Sequence, residues 1–168
     1  TDLREAKTVE SLFSDPAFTE NRDSGIHRWV PWIAGFSAAF LAEAIRKHAP
    51  GGGLIVDPFA GVGTTLLETV RRGVAYEAIG FEINPYAAFA AEVKLEAVSL
   101  RTAEVRHAID RFRQEAPASD PASPPCGFQS RIPFYGPRVL PKVLRALGWI
   151  QRLKSPPLRR LFLLAFAS

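Results

Sequence analysis

The residues with the clearest capacity for chemistry lie in one decapeptide, Val56-Asp57-Pro58-Phe59-Ala60-Gly61-Val62-Gly63-Thr64-Thr65. An acidic side chain follows a short β-branched run, two glycines stand one residue apart, and a helix-compatible stretch begins at Thr64. A strand that ends in a carboxylate and turns through glycines into a helix can seat an adenosyl cofactor at the carboxyl edge of a sheet. The glycines let the backbone approach a ligand and take positive φ. The helix start offers unpaired N–H groups and the positive end of a dipole. The spacing lacks the third glycine of a dinucleotide fingerprint, and no Gly-Lys-Ser/Thr forms a phosphate loop. A second acid, Glu82, stands 25 residues after Asp57, within Gly80-Phe81-Glu82-Ile83-Asn84-Pro85. A carboxylate at the end of a second strand can accept hydrogen bonds from both hydroxyls of a ribose.

These groups need a scaffold, and the surrounding pattern supplies one. Ser37 is a suitable N-cap for a helix over Ala38 to His48, with Phe40, Leu41, Ala44 and Ile45 on one face. Ala49-Pro50-Gly51-Gly52-Gly53 ends it. Leu54-Ile55-Val56 has the look of a buried parallel strand. The glycine turn leads to a helix from Thr64 to Arg72, closed by Gly73, then a strand from Ala75 to Phe81 and a helix from Tyr86 to Glu96. Strand–helix–strand–helix with short glycine turns predicts a parallel α/β sheet. Downstream, Thr102 to Gln114 reads as an amphipathic helix with Val105, Ile109 and Phe112 inward. Ala116 to Pro125 reads as a mobile Pro/Ser/Ala loop, Pro141 to Leu153 as a helix, and Ser155-Pro156-Pro157 as a break before an apolar end. The opening reads as a polar lead-in with a helical turn at Val9 to Phe13.

Asp57-Pro58-Phe59-Ala60-Gly61-Val62-Gly63-Thr64-Thr65 resembles the S-adenosylmethionine motif of DNA amino-methyltransferases, the enzymes that make N6-methyladenine or N4-methylcytosine. The double threonine and the Pro-Phe after the acid carry the resemblance. It implies that Asp57, Phe59, Gly61 and Gly63 line the methionine side of the cofactor, with Pro58, Ala60, Thr64 and Thr65 completing the turn. It also implies that Glu82 binds the ribose and Ile83 packs on the adenine, beside Asn84. Upstream, His27-Arg28-Trp29-Val30-Pro31 and Gly35-Phe36-Ser37 are similar to the segment that covers the methionine end in many such enzymes. That would bring Trp29, Phe36 and Ser37 to the cofactor; an aromatic cluster packed on the sheet is the other reading. The resemblance covers residues 26 to 96 and is densest at 56–65.

The family's second motif, Asp/Asn/Ser-Pro-Pro-aromatic, holds the target amine and stacks on the extruded base. Ser123-Pro124-Pro125-Cys126 and Ser155-Pro156-Pro157-Leu158 lack the aromatic and a preceding strand, so both read as proline-rich loops. The catalytic residues are therefore unknown from the sequence. No methionine occurs, even at position 1, and the chain stops in the apolar run Leu161 to Ser168. Both features lead to the expectation of a piece of a longer protein, with the second motif on a strand beyond Ser168 or, as the less favoured alternative, upstream of Thr1 in a permuted arrangement.

Charge is uneven. Residues 1–100 hold 9 Lys/Arg against 13 Asp/Glu, while residues 101–168 hold 12 against 4, within a net charge of +4. That balance suggests a polyanionic partner for the C-terminal region, or a solvated basic surface. Arginines at 106, 113, 138, 145, 152, 159 and 160 could grip phosphates and position a duplex without reading its sequence. His48 and His107 have no metal-ligand spacing, and no metal is expected. One cysteine, Cys126, excludes an internal disulfide and suits a reducing cytoplasm. No apolar run approaches the ~20 residues of a membrane span.

The resulting expectation is a truncated Rossmann-like methyltransferase fold, a three-layer αβα sandwich. Its expected parts are a lead-in at 1–25, a cofactor-binding core at 26–115, a Pro/Ser-rich loop at 116–131 and a basic helical extension at 132–168. The expected function is S-adenosylmethionine binding within a site-specific DNA methyltransferase of a restriction-modification type, with DNA as partner. An RNA guanine-N2 methyltransferase and a non-catalytic cofactor- or DNA-binding scaffold are the alternatives.

Overall fold

The computed structural model describes residues 21, 25–32, 35–124 and 135–168. The expected turn at Val9 to Phe13 and Cys126 lie outside the described residues. The chain divides into two compact units, residues 1–91 and 92–168, with the boundary inside a helix.

The first unit is built around two parallel strands. A 3₁₀ helix, Gly25–Trp29, precedes helix α1, Ala38–His48, strand β1, Gly53–Asp57, helix α2, Thr64–Val70, and strand β2, Tyr76–Gly80. Helix α3, Pro85–Ala97, follows and crosses the unit boundary. Strands β1 and β2 pair from Gly53 opposite Tyr76 to Asp57 opposite Gly80. Parallel pairing puts both C-terminal strand ends at one edge of the sheet, where the two candidate carboxylates follow their strands. The pairing continues past the strands: Phe81 N donates to the Asp57 carbonyl at 2.9 Å, and Ala60 N donates to the Phe81 carbonyl at 2.9 Å. Val62, Leu67, Ala87, Ala90 and Ala91 are buried, as are Leu41 and Ile45 of α1.

In its β–α–β–α pattern this unit is as the sequence reads, with boundaries shifted by a residue or two. Strand β1 is the exception in burial. Read as a buried strand, it exposes Leu54 and Val56, because among the described residues it pairs only with β2.

The second unit is helical after α3: α4, Thr102–Glu115, a 3₁₀ turn at Ala116–Ala118, α5, Leu140–Gln151, and α6, Pro156–Ala167. Its core is Ala116, Trp149, Ile150 and Leu153, with Phe112, Phe162 and Leu163 packed on it. Phe112 meets the Trp149 ring edge-on at 5.3 Å between centroids, and Phe162 lies 5.5 Å from it.

Three expectations change here. Of the residues read as facing inward on α4, Phe112 does so, but Ala108 is the buried residue of the helix and Ile109 is exposed. Residues four apart share a helix face, so Ala108 and Phe112 pack together while Ile109 points about 100° away. Residues 116–124, read as a mobile loop, are docked on α5. Ala122 N donates to the Leu144 carbonyl, and Arg145 and Arg152 donate to the Pro117 and Asp120 carbonyls. Ser155-Pro156-Pro157, read as a proline-rich break, starts α6, and the apolar end is helical. Proline fits the first helical position, where its missing N–H would have no intrahelical partner.

Candidate functional site

The turn between β1 and α2 is fixed by its backbone conformation before any ligand is considered. Gly61 has φ +52° and Gly63 has φ +83°, values that side-chain-bearing residues rarely take. A Cβ on Gly63 would lie 2.8 Å from the Ala91 Cβ, and one on Gly61 would lie 3.1 Å from the Trp32 Nε1. Gly63 is thus required twice, for conformation and for space, while Gly61 is required for conformation and a Cβ there would need the Trp32 ring to give by a few tenths of an ångström.

Two carboxylates hold the turn from opposite sides. Asp57, buried at the end of β1, accepts the Phe59 N–H on Oδ1 at 2.9 Å, an Asx-type turn closure. Glu82, half-buried after β2, accepts the Gly61 N–H on Oε2 at 2.8 Å and the Asn84 N–H on Oε1 at 2.7 Å. A carboxylate oxygen has two acceptor positions, so each oxygen of Glu82 keeps one for a further donor. Asn84 then starts α3: its Oδ1 accepts the Tyr86 N–H at 2.9 Å and the Ala87 N–H at 3.3 Å. One run of bonds therefore links the glycine turn, Glu82 and the next helix.

The sequence-selected residues do not all gather at one place. Phe36, Asp57, Phe59, Ala60, Gly61, Thr64 and Thr65 line a small cleft together with Trp32. A larger apolar cavity of about 470 Å³ adjoins it, between α1 and β1, and is also lined by Pro58. Thr64 and Thr65 are buried, whereas Phe59 is 84% exposed and Ile83 94% exposed. Glu82, Ile83 and Asn84 line neither cavity, although Glu82 is bonded to Gly61 of the cleft. Trp29, partly exposed on the 3₁₀ helix, lines neither cavity. Ser37 is fully buried, and its hydroxyl caps α1 by accepting the Phe40 N–H at 3.0 Å. Such a cap is worth about 1 kcal/mol.

Three residues near the site went unselected by sequence. Trp32 stands against Gly61. Asn21, fully buried, donates from Nδ2 to the Phe36 carbonyl at 2.7 Å and accepts the Ala38 N–H on Oδ1 at 2.9 Å, bracing the strand of chain that leads into α1. Glu68, buried on α2, lies 3.0 Å from Nε2 of the buried His27 and accepts from Arg71 at 3.1 Å. Burial works to raise the Glu68 pKa, but the hydrogen bonds from His27 and Arg71 outweigh it and hold it below the ordinary carboxylate value. His27 thus anchors the 3₁₀ helix to α2. Apart from the local Glu68–Arg71 pair, these contacts span 15 to 41 residues of chain, and only a charged residue on a buried helix face, as Glu68 is, hints at them in the sequence.

Among the described residues no cluster of His, Cys, Asp or Glu forms a candidate metal site, and no helix is long and apolar enough to cross a membrane.

Comparison with known proteins gives a consistent picture. A family model described as DNA methylase matches residues 5–92. The chain is 32% identical over 77 residues to the type II methyltransferase M.MjaII of Methanocaldococcus jannaschii, covering 46% of this chain and 14% of that protein. It is 33% identical over 79 residues to the type II methyltransferase M.BsoBI of Geobacillus stearothermophilus, covering 46% and 15%. The matched region is thus about one seventh of the length of these curated relatives. No solved structure matches.

Proposed function

The chain belongs to the DNA methylase family, and from that premise we propose that it carries the S-adenosylmethionine-binding part of a DNA amino-methyltransferase. The acceptor would be an exocyclic amine, N6 of adenine or N4 of cytosine, in a DNA duplex. Strands β1 and β2 would be two strands of a Rossmann-like sheet of the three-layer αβα kind.

The observation that carries this reading is the closure of the glycine turn onto Glu82. The Gly61 amide, free to meet a ligand in many glycine turns, is here bonded to the carboxylate and holds it in place. Glu82 is then oriented by two backbone amides and keeps an acceptor position on each oxygen for the two ribose hydroxyls. Ile83 and Phe59, both largely exposed beside the turn, offer the apolar surface that an adenosyl group would cover. Asp57, closing the turn through Phe59 N, sets the direction in which the methionine end would run.

When bound, S-adenosylmethionine supplies a methyl group activated on a sulfonium. The part of this chain is to bind and orient: the Asp57 and Glu82 bonds already close the turn without the cofactor, which lowers the ordering cost left for it to meet. Trp32 and Phe36, held by the Asn21 bonds to Phe36 and Ala38, form a wall on the α1 side of the turn.

Titration calorimetry of the chain with S-adenosylmethionine tests this directly. Saturable binding is expected, lost in Glu82→Ala. Absence of heat at millimolar cofactor, with the chain folded by circular dichroism, would overturn the reading.

A further inference from the structure

The helical unit contains an open cavity of about 700 Å³ that cofactor binding does not use. Its apolar floor includes Ala108, Leu153 and Leu158. Its rim carries His107, Arg111, Arg152 and Lys154 together with Glu104 and Glu115. The two acids are already neutralised. Glu115 accepts two bonds from Arg111, both at 2.9 Å, and Glu104 pairs with Arg101. Arg152 donates to a carbonyl, that of Asp120, and so keeps its full charge. Among the described residues Lys154 forms no ion pair. The rim therefore presents Arg152 and Lys154 as uncompensated cations above an apolar floor, with His107 and Ser155 as further hydrogen-bonding groups.

We propose that this cavity receives the phosphodiester backbone of DNA, with Lys154 and Arg152 on the phosphate and the sugar against the apolar floor. This rests on the DNA-methyltransferase reading for the identity of the polyanion. The lining contains no Asn or Gln amide, its two acids are paired with arginines, and its two uncompensated cations are assigned to the phosphate, so the contact positions the duplex and does not select its sequence. A free nucleotide is a poorer match for the same reason: the floor holds no group for its base edge.

The test is fluorescence anisotropy of the full chain with a labelled duplex over a salt series. Lys154→Glu is expected to weaken binding about tenfold at low salt and to lower the log–log salt slope by about 1. Arg106→Glu makes the same charge change on α4, outside the cavity lining, and is expected to cost less than about threefold. Equal losses in the two variants would reduce the effect to net charge and overturn the proposal. So would wild-type affinity in Lys154→Glu, or no duplex binding by the parent chain. Competition by dAMP or inorganic phosphate as effective, per phosphate, as unlabelled duplex would assign the cavity to a small anion instead. Calorimetry with S-adenosylmethionine on the same samples separates the two claims: cofactor binding without duplex binding removes this one alone.

Discussion

The two units use carboxylates in opposite ways. Around the glycine turn, Asp57 and Glu82 accept backbone amides, so each acid fixes the path of the main chain beside it. In the helical unit, Glu115 accepts from the side chains of Arg111 and Trp149, and arginines hold the 116–124 segment by its carbonyls. A turn whose backbone is the binding surface needs its amides fixed to within a fraction of an ångström. A docked loop needs only to stay attached, and long side chains do that from a distance. The contrast implies that small changes in the first unit remove cofactor binding, while packing changes of equal size in the second cost stability and leave cofactor binding intact.

The sharpest way to break this comparison is Gly63→Ala. The substitution demands positive φ of an alanine and drives its Cβ to 2.8 Å from the Ala91 Cβ. A loss of about 3 kcal/mol of stability is expected, together with undetectable cofactor binding. Chemical denaturation and calorimetry on one preparation measure both. Retention of cofactor affinity would mean that the turn's conformation does not matter to binding.

Glu82→Gln comes next. Both oxygens accept backbone N–H groups, and an amide can offer only one carbonyl oxygen to them, leaving an NH₂ facing an N–H. A cost of about 2 kcal/mol in cofactor binding, roughly thirtyfold in Kd, is expected. An affinity within twofold of the parent would show that Glu82 holds neither the turn nor the ribose.

Gly148→Ala is the matched change in the helical unit. A Cβ there would sit 2.2 Å from the Asp120 carbonyl oxygen and 3.0 Å from Ala122 N, so the docked segment must lift. About 1.5 kcal/mol of stability should be lost with cofactor affinity unchanged. A parallel fall in affinity would erase the distinction between the units.

The same contrast explains what could be read from the sequence. Strands β1 and β2, their turns and α3 follow from local signals: β-branched runs, glycines where φ must be positive, and an asparagine and proline at a helix start. Asp57 and Glu82 were legible because Asp57 ends β1 and Glu82 lies two residues after β2. Asn21 and Glu68 were not, since each acts on residues far along the chain and carries no local mark of it. The 116–124 segment has loop composition and is held by Arg145 and Arg152 from a helix 28 and 32 residues away, which no local pattern registers. Of the arginines that read as phosphate ligands, Arg160 is compensated by carboxylates, pairing with Glu92 and Glu96, whereas Arg145 and Arg159, like Arg152, donate to carbonyls and keep their charge.

The smallest expected effect concerns acid. Hydrogen bonds from Arg111 and from the Trp149 indole hold the Glu115 pKa down at about 2, against an ordinary value of 4.5. A carboxylate whose pKa is lower in the folded chain binds fewer protons there than in the unfolded chain between those two values. Its contribution to stability is therefore complete above pH 4.5 and is lost as pH falls toward about 2. Glu115→Gln keeps an acceptor for the indole but does not titrate, so its urea midpoint should fall less steeply than the parent's across that window. Near neutral pH the variant should be slightly less stable, because the exposed ion pair with Arg111 contributes little. Identical acid slopes in the two proteins would mean that the Arg111–Glu115–Trp149 contact does not persist in solution. The core of the helical unit would then rest on its apolar packing alone, that of Ala116, Trp149, Ile150 and Leu153 with Phe112, Phe162 and Leu163.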